Sequence, residues 1–410
     1  MRRFACGLAI AAVLIFGSAS VSVAAPASGP KIEARSWALI DARTGQTLAQ
    51  KAASRRLPMA STTKMMTALL TLRNLPMDEI VRAADYQSIP GESLMGLNAG
   101  QRVSVRDLLY GLILLSGNDS AVTLAVAVSG TVPRFVALMN RTARKLGLGD
   151  TSYENPVGLD DKRQFSSARD LAKLGRVLMS MPRFRPIASA RTATLRSYRP
   201  SVEIETSNEF VRDYPWAKGI KTGRTIQAGY VLASDGRRRA TELVAAVMGT
   251  ASEAARDSET VKLMDYGFSL YSKRVPIRPG RPVAEVAVRF EDENLPVLSP
   301  RPVRIGVREG ESLRVSIDLP NEVEGPVRRG ERIGSATVRL DGERVGRVPL
   351  LSARRVVEPG PLERVLEAVA SNLVYIVIGL SAILVLLLLF RRRRESQTRT
   401  RLARAGRSRR

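Results

Sequence analysis

Apolar and polar positions follow three rhythms along this chain. From Ile32 to about Tyr271 helical and strand periods are mixed. "SWALIDARTGQTLAQ" reads as two β-prone runs joined by a turn at Arg43 to Gly45, a hairpin. Helical spacing follows over Ser61 to Leu72, Asp119 to Val128, Val132 to Leu146 and Ser167 to Met179. Val105 to Leu115 ("VRDLLYGLILL") is apolar nearly all round, as a buried helix is. "AGYVLAS" and "TELVAAVMG" read as strands joined across Asp235-Gly236, with a last helix, Ser252 to Tyr271, packing back on the sheet. The pattern predicts a mixed α and β domain over residues 32–272 with one large core.

After Ser272 the helical period disappears. Short β-branched runs ("VAEVAVRF", "PVRIGV", "LRVSIDL", "ATVRL") alternate with Pro, Gly and Asp-Gly turns, which predicts a small all-β domain over residues 274–357. "EPGPLERVLEAVASN" then leads into "LVYIVIGLSAILVLLLLF", Leu373 to Phe390. These uncharged residues make about 27 Å of helix at ~1.5 Å per residue, enough to span a bilayer. Arg391 to Arg394 follow at once, and in the tail to Arg410 arginine far outweighs the single acid, Glu395. An excess of cations next to a span predicts a cytoplasmic tail, residues 391–410.

The other end reads "MRRFACGLAIAAVLIFGSASVSVAAPA": two arginines, an apolar run from Phe4 to Phe16, then small residues. That predicts a secretory signal peptide over residues 1–25, with Ala24, Ala25 and Ala27 all compatible with the small-x-small cleavage rule. The expected protein is a single-pass one in the cell membrane. Its folded part lies outside the cytoplasm, on the periplasmic or wall side.

Composition closes several chemical routes. The chain has no histidine, and its one cysteine, Cys6, lies within the export segment. Ser-His-Asp and Cys-His nucleophile activation are therefore excluded, as are His/Cys zinc sites. A hydrolase of this composition must move its proton with lysine or carboxylate. The net charge of +25 resembles that of nucleic-acid binders. The cytoplasmic tail and Arg2 and Arg3 account for much of it, and an exported domain never meets the genome. Anionic wall polymer, lipid phosphate or acidic peptide are the partners a basic exported surface predicts, with a general arginine bias the alternative.

Three short motifs carry candidate chemistry. In "LPMASTTKMMTALL" Ser61 and Lys64 stand three residues apart at a helix start, so the amine can reach the hydroxyl. A buried lysine near other cations can lose its proton near neutral pH and act as a base. Taken alone, the pair reads more simply as a helix cap followed by a solvated charge. In "SGNDS", Ser116 and Asn118 place a hydroxyl and an amide at the junction of two helices, where a plain turn and N-cap is the simpler reading. In "GIKTGRT", Lys221, Thr222, Gly223 and Arg224 start a strand, which is either a glycine-bearing edge or a ledge for an extended peptide.

Taken together, S-x-x-K, S-x-N and K-T-G stand in the order of the penicillin-recognising serine enzymes. The region Ile32 to Tyr271 resembles the low-molecular-mass penicillin-binding proteins, the D-alanyl-D-alanine carboxypeptidases of serine peptidase family S11. "ALIDARTGQTL", "GESLMGLNAGQRVSVRDLLYGLILLSGNDSA", "FVALMNRTARKLGLGDTSYENPVGLDD" and "SSARDLA" extend the likeness, and "PVRRGERIGSATVRLDGERVGRVPLL" resembles that family's C-terminal domain.

The resemblance implies an α/β (α+β) transpeptidase fold of the penicillin-binding and β-lactamase type, with an antiparallel sheet, a helical cluster, a small all-β domain and a transmembrane helix. It implies removal of the terminal D-alanine from peptidoglycan stem pentapeptides, with β-lactams as covalent inhibitors and no metal or cofactor. Ser61 would be the acylated nucleophile, Lys64 its proton acceptor, and Ser116 the relay to the leaving D-alanine. Asn118 would bond the substrate backbone, Lys221 supply positive potential, and Thr222 bind the terminal carboxylate. Gly223 leaves room along the strand, and the N–H groups of Ser61 and Arg224 would form the oxyanion hole.

The chain departs from the family at Arg224 and Phe165, where histidine is frequent, and at Ser207, where an arginine often precedes the asparagine that is here Asn208. Carboxylate binding could then fall to Arg224 or Arg212. A class A β-lactamase fits less well, because the second motif is S-G-N rather than S-D-N and no Glu-x-x-Leu-Asn segment is evident. D,D-endopeptidase action on cross-links and a non-catalytic wall-binding scaffold are the other readings.

Overall fold

The structure, a computed structural model, describes residues 29–407. The expected signal peptide thus falls outside the described residues. Two compact units can be separated: one runs to Arg274 and takes in Arg304–Glu311, and the other holds Val275–Val303 and the chain from Ser312.

In the first unit the chain forms β1 (Ser36–Asp41), β2 (Thr47–Lys51), a 3-10 turn (Ala60–Thr63) running into α1 (Lys64–Asn74), β3 (Ile80–Arg82), β4 (Arg102–Ser104) and α2 (Val105–Leu114). Then come α3 (Asn118–Ser129), α4 (Val132–Lys145), α5 (Ala168–Met179), α6 (Arg185–Ala188), β5 (Thr192–Leu195), β6 (Val202–Glu205) and α7 (Glu209–Asp213). The hairpin strands β7 (Ala217–Thr225), β8 (Gly229–Arg238) and β9 (Thr241–Thr250) and helix α8 (Glu253–Ser269) complete it. Helices α2, α4, α5 and α8 begin where a Ser or Thr side chain accepts the backbone N–H three residues on: Ser104 from Asp107, Thr131 from Arg134, Ser167 from Asp170, and Ser252 from Ala255. Each such cap satisfies a donor that the helix itself cannot.

The main sheet is antiparallel with strand order β2-β1-β9-β8-β7. Its two faces are both covered. Ala38, Ile40, Val244 and Ala246 pack with Met65, Leu109, Leu124 and Leu171 of the helical cluster. On the opposite face, Trp37, Leu39, Leu243, Ala245 and Val247 pack with Leu263, Met264 and Phe268 of α8. Burial on both sides explains why β1 and β9 read as near-continuous apolar runs rather than alternating ones. β7 lies at the sheet edge, as its cations and glycines predicted.

The hairpin joining β8 to β9 corrects the sequence reading. Asp235-Gly236 is not a turn but lies within β8, paired with Val244 and Leu243, and the chain reverses at Arg239-Ala240. Both residues there take left-handed φ, 52° and 69°. Asp-Gly is a strong local hairpin signal, yet here sheet register and core burial override it. Asp235 is 0% exposed, and neither carboxylate oxygen has a hydrogen-bond partner. Burial, with the Glu242 carboxylate nearby, raises its pKa.

A raised folded-state pKa means the native protein holds a proton that the unfolded chain releases above about pH 4. Stability should therefore fall as pH rises above that value. Asp235→Asn is expected to flatten this dependence, which thermal unfolding between pH 4 and pH 8 would measure. An unchanged slope would contradict the assignment.

The boundary between units falls within β10 (Tyr271–Ile277). Further on are β11 (Pro282–Val288), β12 (Leu295–Leu298), β13 (Val303–Arg308), β14 (Leu313–Asp318), β15 (Glu322–Val323), β16 (Arg332–Leu340) and β17 (Glu343–Ser352). A six-stranded sheet of order β14-β16-β17-β12-β11-β15 encloses Val286, Leu295, Val297, Ala336, Val338 and Leu350. Helix α9 (Pro361–Ser371) buries no residue. In α10 (Leu373–Arg407), Leu373–Arg391 has a mean hydropathy of 3.0 and is long and apolar enough to cross a membrane. The helix continues past Phe390 to Arg407, so most of the arginine-rich tail is helical.

Candidate active site

Ser61 sits in the 3-10 turn and Lys64 is the first residue of α1. In a 3-10 turn, side chains three apart eclipse one another, and the Lys64 Nζ lies 3.0 Å from the Ser61 Oγ. The predicted helix thus begins with a tighter turn, which brings the pair together. Ala60, just before the serine, has φ 48°. So does Ser116 in kind, with φ 62° at the junction of α2 and α3. Left-handed backbone at a residue other than glycine costs free energy and clusters at functional sites; here it flanks two of the three motifs.

Lys64 is fully buried. Besides Ser61, its Nζ contacts the Asn118 Oδ1 at 2.6 Å and the Val157 carbonyl at 2.7 Å. Burial, and then repulsion by the Lys221 ammonium, holds its pKa well below the ordinary lysine range, against a smaller opposing pull from Glu92 and Asp119. Lys221 is itself buried and pushed down to about 7, mainly by burial and secondarily by Arg256. Its Nζ donates to the Thr222 carbonyl at 2.9 Å.

The first and third motifs meet at Gly223. A Cβ built there would lie 2.8 Å from the Ser61 N and 2.9 Å from the Ala60 Cβ. The missing side chain therefore leaves free a point within hydrogen-bonding distance of the nucleophile's own N–H, rather than merely smoothing a strand edge. Gly223→Ala should fill that point and lower acylation by about 10²–10³, the range for loss of one oxyanion donor. Stopped-flow acylation would measure it, and near-normal rates would show that no reacting atom sits there.

Of the predicted residues, the structure links Ser61, Lys64 and Asn118 by direct contacts, sets Gly223 against the Ser61 backbone, and puts Lys221 within electrostatic reach of Lys64. Ser116, two residues before Asn118, and Thr222 are both buried. Arg224 is exposed, its guanidinium stacked over the Tyr230 ring at 5.2 Å. Arg212 is paired with Glu209 and Asp213 on α7. Ser207 donates through both N–H and Oγ to the Leu114 carbonyl, so it ties down the end of α2. Phe165 lies under the Arg56 guanidinium.

Sequence reasoning missed the segment Asn155 to Gly158. The Asn155 Oδ1 accepts the N–H groups of Val157, Gly158 and Leu159, which turns the Val157 carbonyl toward Lys64. Gly158 has φ 102°, and a Cβ there would stand 2.1 Å from the Ala60 carbonyl oxygen. "NPVG" was visible, but a ligand that is a backbone carbonyl has no side chain to announce it. Among the described residues no group of three or more His, Cys, Asp or Glu could hold a metal ion.

A buried lysine over a serine, with an Asn from a helix junction and a K-T-G strand beside them, defines the active-serine D,D-peptidase class. The D-alanyl-D-alanine carboxypeptidase family, peptidase S11, matches residues 21–252, and the C-terminal domain of penicillin-binding protein 5 matches residues 271–358. The chain belongs to this family. It is 32% identical to the D-alanyl-D-alanine carboxypeptidase DacC of Escherichia coli, over 88% of this chain and 94% of that one. The crystal structure of penicillin-binding protein 5 from Haemophilus influenzae aligns with TM-score 0.57 and 30% identity over 81% of this chain and all of that one. The Streptomyces K15 DD-transpeptidase aligns with TM-score 0.56 and 32% identity over 59% of this chain and all of its own. The expected fold, an antiparallel sheet with helices and an added all-β domain, is the one found.

Proposed function

We propose that this chain is a serine-type D-alanyl-D-alanine carboxypeptidase in which Ser61 is the nucleophile and neutral Lys64 the base. The observation that carries the reading is the buried Lys64 amine at 3.0 Å from the Ser61 hydroxyl. A neutral amine has two N–H groups and one lone pair. With the N–H groups directed to Asn118 and Val157, the lone pair faces Ser61.

The Ser61 Oγ attacks the carbonyl carbon of the penultimate D-alanine as its proton passes to Lys64. The oxyanion is held by the N–H groups of Ser61 and Arg224, at the point that Gly223 leaves open. Collapse breaks the peptide bond, and the proton travels from Lys64 by way of Ser116 to the leaving D-alanine nitrogen. Water then attacks the acyl-enzyme, its proton taken by Lys64, and Ser61 is restored. Asn118 orients both base and substrate amide, while Lys221, Thr222 and Arg224 attract the terminal carboxylate. A β-lactam enters the same first step and stays bound as an acyl-enzyme. Endopeptidase action on cross-links uses the same groups.

The apolar stretch of α10 supports a single membrane span; the N-terminal sequence supports a signal peptide that is removed, and the two together would put the catalytic unit on the periplasmic or wall side and the arginine-rich end in the cytoplasm near anionic lipid. Release of D-alanine from a pentapeptide by the purified protein, blocked by penicillin, tests the activity. Absence of both release and penicillin uptake would leave the scaffold reading.

A further inference from the structure

One carboxylate within electrostatic reach of Lys64 has no task in the chemistry above. Glu92 lies on the loop between β3 and β4, and its Oε2 accepts the Tyr86 hydroxyl at 2.5 Å. The loop is held firmly. The Asn118 N–H donates to the Ser93 carbonyl at 2.8 Å, and the Asp119 carboxylate accepts from Met95, Gly96 and Leu97 at 2.8, 2.8 and 3.0 Å. Glu92 is thus mounted beside the residue that holds the catalytic amine, and its charge reaches Lys64. It is partly buried, next to exposed Ser88 to Gly91 and Leu94.

Among the described residues no lysine or arginine lies within ion-pair distance of Glu92. A half-desolvated carboxylate with one neutral donor retains acceptor capacity that a cation would fill. The protein does not provide the cation. On the reading above, the substrate's terminal carboxylate is held on the β7 side of Ser61. The Glu92 loop is tied through Ser93 to Asn118, the residue proposed to bond the substrate backbone on the other side of Ser61.

We infer that Glu92 selects substrates in which the residue preceding D-alanyl-D-alanine bears a free side-chain ammonium, and that it takes this ammonium as its ion-pair partner. This rests on the carboxypeptidase reading. A role confined to Lys64 would affect every substrate alike, whereas an ion pair to substrate discriminates.

The test uses the full-length protein in detergent and two peptides, Nα-acetyl-L-Lys-D-Ala-D-Ala with its ε-amine free or acetylated. The readout is the ratio of their kcat/KM values. It is internal to one preparation, so partial unfolding lowers both alike. The unmutated protein should favour the free amine about tenfold, as expected for a partly desolvated charge-assisted bond. Glu92→Gln should bring the ratio to about one, and Glu92→Lys should reverse it. A wild-type ratio near one, or a preference that survives Glu92→Gln, overturns the inference. Failure of the unmutated protein to release D-alanine from either peptide would overturn the reaction assignment, and this inference with it.

Discussion

Replacing Ser61 with alanine is expected to abolish covalent labelling by a fluorescent penicillin and to reduce D-alanine release by about 10⁵- to 10⁶-fold, the scale seen when an activated nucleophile is deleted. The change removes one oxygen whose hydrogen-bonding neighbour is Lys64. The 3-10 turn is held by backbone bonds and by its packing against Gly223 and Gly158, so the fold should persist. Labelling is the sharper measurement because it needs only the first half of the reaction. Residual hydrolysis by adventitious peptidases can mimic turnover, but it cannot attach penicillin to this chain. A Ser61→Ala protein that still takes up label would place the nucleophile elsewhere.

Much of the proposed catalytic arrangement was legible because it is carried by side chains at fixed short spacings. Ser61 and Lys64 are three apart on a turn whose geometry stacks positions three apart, so reading the letters nearly amounts to reading the contact. Ser116 and Asn118 were legible for a related reason: a buried helix must end, and the polar residues where it ends are free for chemistry. The absence of histidine then leaves lysine as the candidate base.

What escaped was non-local or belonged to the backbone. The Val157 carbonyl reaches Lys64 from 93 positions away, and any residue but proline could present the same oxygen in a like turn. The pairing of β1 with β9, Ser36 against Met248, closes the sheet across the whole domain and has no local signature. Asp235-Gly236 shows the opposite error. A genuine local preference was present, and the tertiary environment overruled it, burying a carboxyl in the strand and moving the turn to residues with no special turn chemistry. Glu92 stayed silent for the same reason as Val157: only the folded loop brings it to Asn118.

The electrostatics make a second large prediction, on the base itself. Lys64→Met keeps the length and apolar stem but removes the proton acceptor, and should lower acylation by about 10²–10⁴, the usual worth of a positioned general base. In the intact enzyme Lys64 must be neutral to act, so the rate should rise with pH through the Lys64 pKa. That limb lies well below the ordinary lysine range because burial and the Lys221 charge both disfavour the ammonium. If Lys221 must be cationic to draw in the substrate carboxylate, the rate should fall again as pH passes about 7, where Lys221 loses its proton. The profile of kcat/KM should therefore be bell-shaped. Lys221→Gln should remove the falling limb and weaken binding. It also takes away a neighbouring positive charge, which makes protonation of Lys64 easier and moves the rising limb to higher pH. A rising limb that stays in place or moves to lower pH in Lys221→Gln would mean that the two amines are not electrostatically coupled, and that some other group sets the ionisation of the base.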